Sequence, residues 1–204
     1  MPVSQPGPRM ISLSPEHRWN TLVVLILLGA GSVLALDLED VQITRDGRRY
    51  SSQLAFDVAG SVEQVTEILT DYEHPERLTP AVTKREVIGR PGAVTRVRTE
   101  IHGCIVLFCK DIVLTQDVTV IAGSIRAEIV ADESDFRSGY IHWQITGNEQ
   151  GGSDIRYQSV IEPDFFMPPL LGRYFMRKWL RRQIFGIAER LRLELAQDPA
   201  VSRT

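Results

Sequence analysis

Six strand-like runs follow one another between residues 81 and 162, with no room between them for a crossover helix. Val82–Ile88, Val94–Ile101, Ile112–Val120, Ile125–Val130, Tyr140–Ile145 and Ile155–Ile161 are rich in β-branched residues. Turn-forming strings interrupt them, among them Gly89-Arg90-Pro91-Gly92, Gly123, Ser138-Gly139 and Gly151-Gly152. Parallel neighbours need long crossover connections, so these strands must pair antiparallel, as a meander. One more strand precedes them, where Tyr50, Leu54, Phe56 and Val58 alternate with Ser51, Gln53, Ala55 and Asp57. Ser61 then caps a short helix carrying Val62, Val65, Ile68 and Leu69 at helical spacing. Asp71-Tyr72-Glu73-His74-Pro75 ends that helix, because proline restricts its predecessor and donates nothing to the helix ladder. Glu76–Leu78 read as one further helical turn.

A twisted sheet of this length leaves a face to be covered, and the last element supplies the cover. Beyond Phe165-Phe166-Met167-Pro168-Pro169, an apolar stripe of Met176, Leu180, Ile184, Ile187, Leu191 and Leu195 recurs every three or four residues. The two prolines suit the first turn of that helix or the residues just before it. The expected fold is α+β: a strongly curved antiparallel sheet wrapped around a long C-terminal helix. It should form one domain over residues 49–197, after an irregular lead-in at 36–48 and before a disordered tail at 198–204. A chain of 204 residues, 43% hydrophobic, suits one domain with a sizeable core.

Residues 1–35 stand apart. Arg9 and Arg18 precede the apolar run Leu22–Leu28, and Gly29, Ala30, Gly31 and Ser32 lead to Val33-Leu34-Ala35. That order of positive, apolar and small residues belongs to a secretory signal. Thr21 to Leu36 is shorter than the roughly 20 residues of a comfortable membrane span, which favours cleavage after Ala35 over an N-terminal anchor or an internal helix. The expected location is exported, periplasmic, with anchoring by this segment as the alternative. Without it, two Arg and one Glu leave the totals of 23 basic and 26 acidic residues, so the remainder is acidic. General affinity for nucleic acid is therefore not expected. One stretch runs the other way, with Arg173, Arg177, Lys178, Arg181, Arg182, Arg190 and Arg192 opposed only by Glu189 between residues 173 and 192. Arg173, Arg177 and Arg181 are candidates to face anionic lipid headgroups, with an ordinary solvated helix face as the alternative.

Cys104 and Cys109 are the only cysteines. In an oxidising compartment they are a disulfide candidate. On one straight strand they would point to opposite faces about 16 Å apart, so a bridge requires a turn or a bulge within Ile105–Phe108. Two buried thiols are the other reading. A metal or redox role looks poor, because two ligands without nearby His or Asp make a weak site and the spacing is not CxxC.

Close-spaced chemistry is otherwise missing. His17, His74, His102 and His142 form no ligand cluster, and no phosphate loop, His-Glu-x-x-His or nucleophile elbow is present. No catalytic residue, metal ligand or cofactor is assigned. Asp71, Glu128, Asp164 and Arg98 are charged groups that could enter a cavity.

Order and local strings together resemble the START-like, helix-grip superfamily, in particular its polyketide cyclase and coenzyme Q-binding branch. The strand before Ser61-Val62-Glu63-Gln64-Val65-Thr66-Glu67-Ile68-Leu69-Thr70-Asp71-Tyr72 carries the resemblance, with Pro75, Leu78 and Pro80, Gly139 to Trp143, and Ile155-Arg156-Tyr157. It implies a cavity between sheet and helix for a lipid, an isoprenoid quinone or a polyketide-like molecule. The expected ligand contacts are Trp143, Tyr157, Phe165, Leu171 and Phe175, with a mouth near Phe165–Leu171. The leading expectation is a carrier of a small hydrophobic molecule, which calls for a pocket above about 300 Å³. A cyclase or dehydratase, or a protein-interaction module with an incidental cavity, are the alternatives. No protein partner is identified.

Overall fold

The structure, a computed structural model, describes residues 40–105, 108–166 and 172–197; the expected signal segment and C-terminal tail lie outside these. Eight antiparallel strands form one sheet in the order β1-β2-β8-β7-β6-β5-β4-β3. They are β1 (Gln42–Asp46), β2 (Arg49–Val58), β3 (Val82–Gly89), β4 (Thr95–Ile105), β5 (Phe108–Ile121), β6 (Ser124–Ile129), β7 (Phe136–Gly147) and β8 (Ser153–Pro163). Strands β3 to β8 are the expected meander, and β8 returns to pair with β2 from Tyr50↔Ile161 to Val58↔Ser153. Among the described residues two α-helices, α1 (Val62–Leu69) and α2 (Gly172–Gln197), and short 3-10 turns at Pro75–Arg77 and Ala131–Glu133 complete the fold. This is the helix-grip architecture: the inner face of the curved sheet closes on α2.

Strand β1 occupies the stretch read as an irregular lead-in. Its signal was short but present, because Val41 and Ile43, at 0% and 5% exposure, alternate with exposed Gln42 and Thr44. Gly47, at φ +56°, turns the chain between Asp46 and Arg49 and fixes the hairpin. Strands β4 and β5 also run further than their β-branched cores, because both continue into a shared hairpin tip.

Helix α1 starts where its cap dictates. Ser61 Oγ accepts the Gln64 N–H at 3.3 Å, and Gln64 Oε1 accepts the Ser61 N–H at 2.9 Å, a reciprocal capping box. In α2 the buried stripe is Met176, Leu180, Ile184, Ala188, Leu191 and Leu195. Ala188 takes the fully buried position, and Ile187 sits half-buried beside it. A methyl there lets the helix approach the sheet closely and turns the larger Ile187 to one side. Burying each leucine stabilises the fold by about 1.5–3 kcal/mol relative to exposure. Among the described residues no helix is long and apolar enough to cross a membrane.

Gly139 shows what the curvature costs. It lies just beyond a register shift in the β7–β8 pairing and holds φ at +149°, a conformation that L side chains rarely adopt. A Cβ there would run into the Val160 carbonyl oxygen and lie 2.9 Å from the Ile129 side chain. Gly139→Ala is expected to destabilise the domain by about 2–4 kcal/mol. Urea unfolding checks this, and a loss below about 0.5 kcal/mol would show that the backbone relaxes there freely.

Candidate functional site

Alternation along the sheet assembles the site. Val97 and Thr99 of β4, Gln116 and Val118 of β5, and Ile125 and Ala127 of β6 face inward in pairs two residues apart. Ile141 and Trp143 of β7 and Tyr157 of β8 continue the wall. Leu69, Tyr72 and Leu78 close it from the α1 side, and Ile187 closes it from α2. Together they line a half-open cavity of about 140 Å³. Trp143 and Tyr157 are register partners, their ring centroids 4.6 Å apart at 61°. That edge-on packing forms the aromatic end of the cavity.

Tyr72, Thr79, Arg85, Thr99 and Gln116 bring polar side chains to this largely apolar space. Arg85 on β3 stands opposite Thr99, and its Nε donates to Thr99 Oγ1 at 3.3 Å. Among the described residues no carboxylate lies within ion-pair distance of Arg85. Burial lowers the pKa of its guanidinium, opposed by the negative potential of Tyr72 and Asp71, yet an arginine keeps its charge at neutral pH. Burial also raises the Tyr72 phenol, partly offset by the positive charge of Arg85 and Arg90. Gln116 Nε2 is buried and makes no hydrogen bond. Leaving such a donor unmatched costs about 1–3 kcal/mol. Sequence reading missed both Arg85 and Gln116. Lys84-Arg85-Glu86 is charged throughout and shows no inward face, and only its pairing with buried Thr99 reveals one.

Of the expected ligand contacts, Trp143 and Tyr157 line the cavity. Phe165 does not; it packs edge-on against Phe136 at 6.0 Å, with Lys110 Nζ 4.9 Å from its ring centre. Phe175 packs on Tyr174 at 5.4 Å, about 18 Å along α2 from Ile187, the helix residue in the lining. Leu171, and with it most of the expected mouth at Phe165–Leu171, lies outside the described residues. The cavity is less than half the expected 300 Å³. Larger clefts of about 590 and 430 Å³ are mostly polar-lined, the first by Asp71, Arg77 and Glu194 among others.

The charged candidates stand elsewhere too. Asp71 accepts the Glu73 and His74 N–H groups and an Arg77 Nη1 bond at 3.1 Å, so it braces the turn after α1. Arg98 alternates outward between Val97 and Thr99. Exposed ion pairs hold Glu128 to Arg126 and Asp164 to Arg137, both at 2.6 Å. On α2, Arg173 and Arg177 are exposed and Arg181 is half-buried. Arg177 leans back to donate to the Ile43 carbonyl at 3.3 Å. Tyr174, Lys178 and Arg182, one residue further round, form the adjoining exposed stripe.

Cys104 and Cys109 form a disulfide, their Cα atoms 3.9 Å apart. The strand reverses between them, so they are facing partners on β4 and β5. The same reversal corrects the view that the pair lacks His or Asp neighbours. His102 and Asp111 are the next facing pair on the same side, joined Nδ1 to Oδ1 at 2.7 Å, and His102 Nε2 stands 3.5 Å from Cys104 Sγ.

A curved antiparallel sheet gripping one long helix around an inward cavity defines the START-like, helix-grip class. Residues 49–196 match the family described as polyketide cyclase / dehydrase and lipid transport, and the chain belongs to that family. The Zhui aromatase/cyclase from Streptomyces sp. R1128 superposes with a TM-score of 0.61 at 12% identity, over 73% of this chain and 94% of its own. A STAR-related lipid transfer protein from Xanthomonas axonopodis gives 0.57 at 14% identity, over 78% and 99%. A START superfamily protein from Mycobacterium smegmatis gives 0.56 at 17%, over 72% and 97%. At these identities the likeness is one of fold. No curated protein sequence matches the chain.

Tyr157 offers a direct check on how dry the cavity wall is. Burial pushes its phenol up to about 12, only partly opposed by a hydrogen bond with Ser159. The unfolded chain ionises near 10, so between these values only the unfolded state loses the proton. Stability present below pH 10 should therefore fall as pH rises towards 12, by roughly 2–3 kcal/mol. Denaturant titrations across that range test this, and Tyr157→Phe should flatten the fall. An unchanged slope in the variant would mean that water reaches the phenol.

Proposed function

We propose that this protein binds a small amphipathic molecule, with an apolar body against Trp143 and Tyr157 and an acceptor or anionic head at Arg85. The observation that carries this reading is the inward guanidinium, with no carboxylate among the described residues within ion-pair distance, lining the same largely apolar cavity as the unmatched amide donor of Gln116. A carboxylate, phenolate or enolate oxygen would satisfy both donors at once, and charge-assisted bonds to arginine are among the strongest that a buried site can make. The volume bounds the body. An engineered cavity of about 150 Å³ holds benzene, so the present 140 Å³ suits one ring or a short acyl segment. A quinone or phospholipid would keep most of its length outside this space. Family membership supports a ligand of this apolar kind. The cyclase reading keeps one specific support, since Arg85 could equally stabilise an enolate forming in the cavity.

Export to the periplasm, or anchoring there by residues 1–35, is part of the same proposal and rests on the order of charge, apolar run and small residues. Anionic membrane contact would draw on exposed Lys178 and Arg182 more than on Arg177, which is tied to β1.

Gentle purification of the full chain from its natural export route, organic extraction and mass spectrometry test the reading. A reproducible small acid or phenol is the expected result. Arg85→Gln should weaken binding of that species by about 10–100-fold, the worth of a charged hydrogen bond, while a neutral analogue of the same body binds unchanged. Clean extracts, with no thermal shift from aromatic acids, fatty acids or quinones, would reject the carrier and favour an interaction module. Conversion of the bound species, lost in Arg85→Gln, would favour the enzyme.

A further inference from the structure

We infer that the β4–β5 hairpin tip is a redox-gated metal site, which binds one zinc-like cation when the Cys104–Cys109 disulfide is reduced. The geometry follows from strand parity alone. In an antiparallel pair, residues two apart share a face, so His102 and Cys104 on β4 lie directly across from Asp111 and Cys109 on β5. Two sulfurs, an imidazole and a carboxylate thus occupy one surface of one hairpin. An imidazole nitrogen of His102 and both Sγ atoms lie within 4.8 Å of one another. A tetrahedral zinc with Zn–S of about 2.3 Å and Zn–N of about 2.0–2.1 Å sets its sulfur and nitrogen ligands roughly 3.6 Å apart. His102 Nε2 and Cys104 Sγ already stand at 3.5 Å.

The other side of the imidazole is equally suited. Asp111 holds Nδ1 at 2.7 Å, which fixes the tautomer with the proton on Nδ1 and leaves the Nε2 lone pair aimed at the sulfurs. A carboxylate behind a histidine is the usual outer partner of a zinc-bound imidazole, raising its basicity and fixing its plane. His102 and Asp111 are 52% and 83% exposed, so an ion can enter from solvent and water can take the fourth position.

Chemically, a dithiol donor reduces the disulfide, giving two cysteine thiols and leaving the donor as its own disulfide. Zinc then binds, and each thiol releases its proton to water as its sulfur becomes a ligand. With the disulfide formed, both sulfurs are bonded to each other and offer no thiolate, so the oxidised tip holds only one imidazole. Two soft sulfurs and one imidazole also suit Cu(I), and zinc is the simpler probe.

The test uses the full chain, oxidised or reduced with a phosphine, titrated with Zn²⁺ against a chromophoric chelator and with Co²⁺ as an optical reporter. The reduced chain should bind one Zn²⁺ at least 100-fold more tightly than the oxidised chain, and Co²⁺ should give thiolate charge-transfer bands. Only Cys104 and Cys109 can supply those bands, because the sequence has no other cysteine. His102→Gln should weaken binding by 10-fold or more, and Asp111→Asn by about 10–100-fold, each without moving the thermal midpoint of the oxidised protein. Equal affinity in both redox states, no binding to a reduced chain of native circular dichroism, or indifference to His102→Gln would overturn the inference. Loss of native circular dichroism on reduction alone would overturn it too, because the ligands meet only on the formed hairpin.

Discussion

The fold depends on the contact between one face of α2 and the hollow of the sheet. Ala188, Leu191 and Leu195 are wholly removed from solvent, and Met176 and Ile184 nearly so. They share one buried core with Tyr50, Leu54 and Phe56 on β2 and Ile155 and Tyr157 on β8, residues from opposite ends of the chain's strand order that pair in the sheet. Neither piece is stable without the other. The sheet would expose a broad apolar face, and a lone helix of this length is marginal in water. Everything that makes a cavity possible follows, since an interior space needs a wall and a cover that are already committed to each other.

Much of this architecture is legible in the text of the chain, because it is written in periods. Alternation marks β2 and the meander, the stripe from Met176 to Leu195 marks α2, and Ser61 marks the start of α1. β1 was missed because five residues carry little periodic signal and its one apolar member, Ile43, has its companion Val41 just before the strand. The site was less legible. Trp143 and Tyr157 stand out as large aromatics on strands whose inner face is apolar, whereas Arg85 and Gln116 look like ordinary surface residues until their neighbours across the sheet are known. Phe165 and Phe175 pack outside this cavity's lining, because which space the apolar bulk near the start of a helix borders depends on how far along the helix the cavity lies.

An apolar cavity that contains a guanidinium and an unmatched amide is a compromise between stability and recognition. A solid core at the same position would bury the same surface without leaving Gln116 Nε2 unmatched. Arg77 shows the opposite arrangement nearby. It joins Asp71 at 3.1 Å to Glu194 at 2.6 Å, tying the turn after α1 to the last turns of α2 with every charge paired. Such local inconsistencies in an otherwise consistent fold are where function is expected to reside, and among the described residues Gln116 is the one of them that borders this cavity, Tyr50 Oη and Ser52 Oγ lying on β2 away from its lining.

The short span of the disulfide bears on how the protein matures. With two cysteines in the whole chain, a single intramolecular pairing exists, so oxidation has no wrong isomer to form and no reshuffling step to await. The bridge also lies within one hairpin, between neighbours only five positions apart. It ties no distant parts of the chain together, and the strands on either side can find their partners in the sheet whether it has closed or not. Oxidation and folding are therefore separable events in this molecule, and neither has to wait for the other.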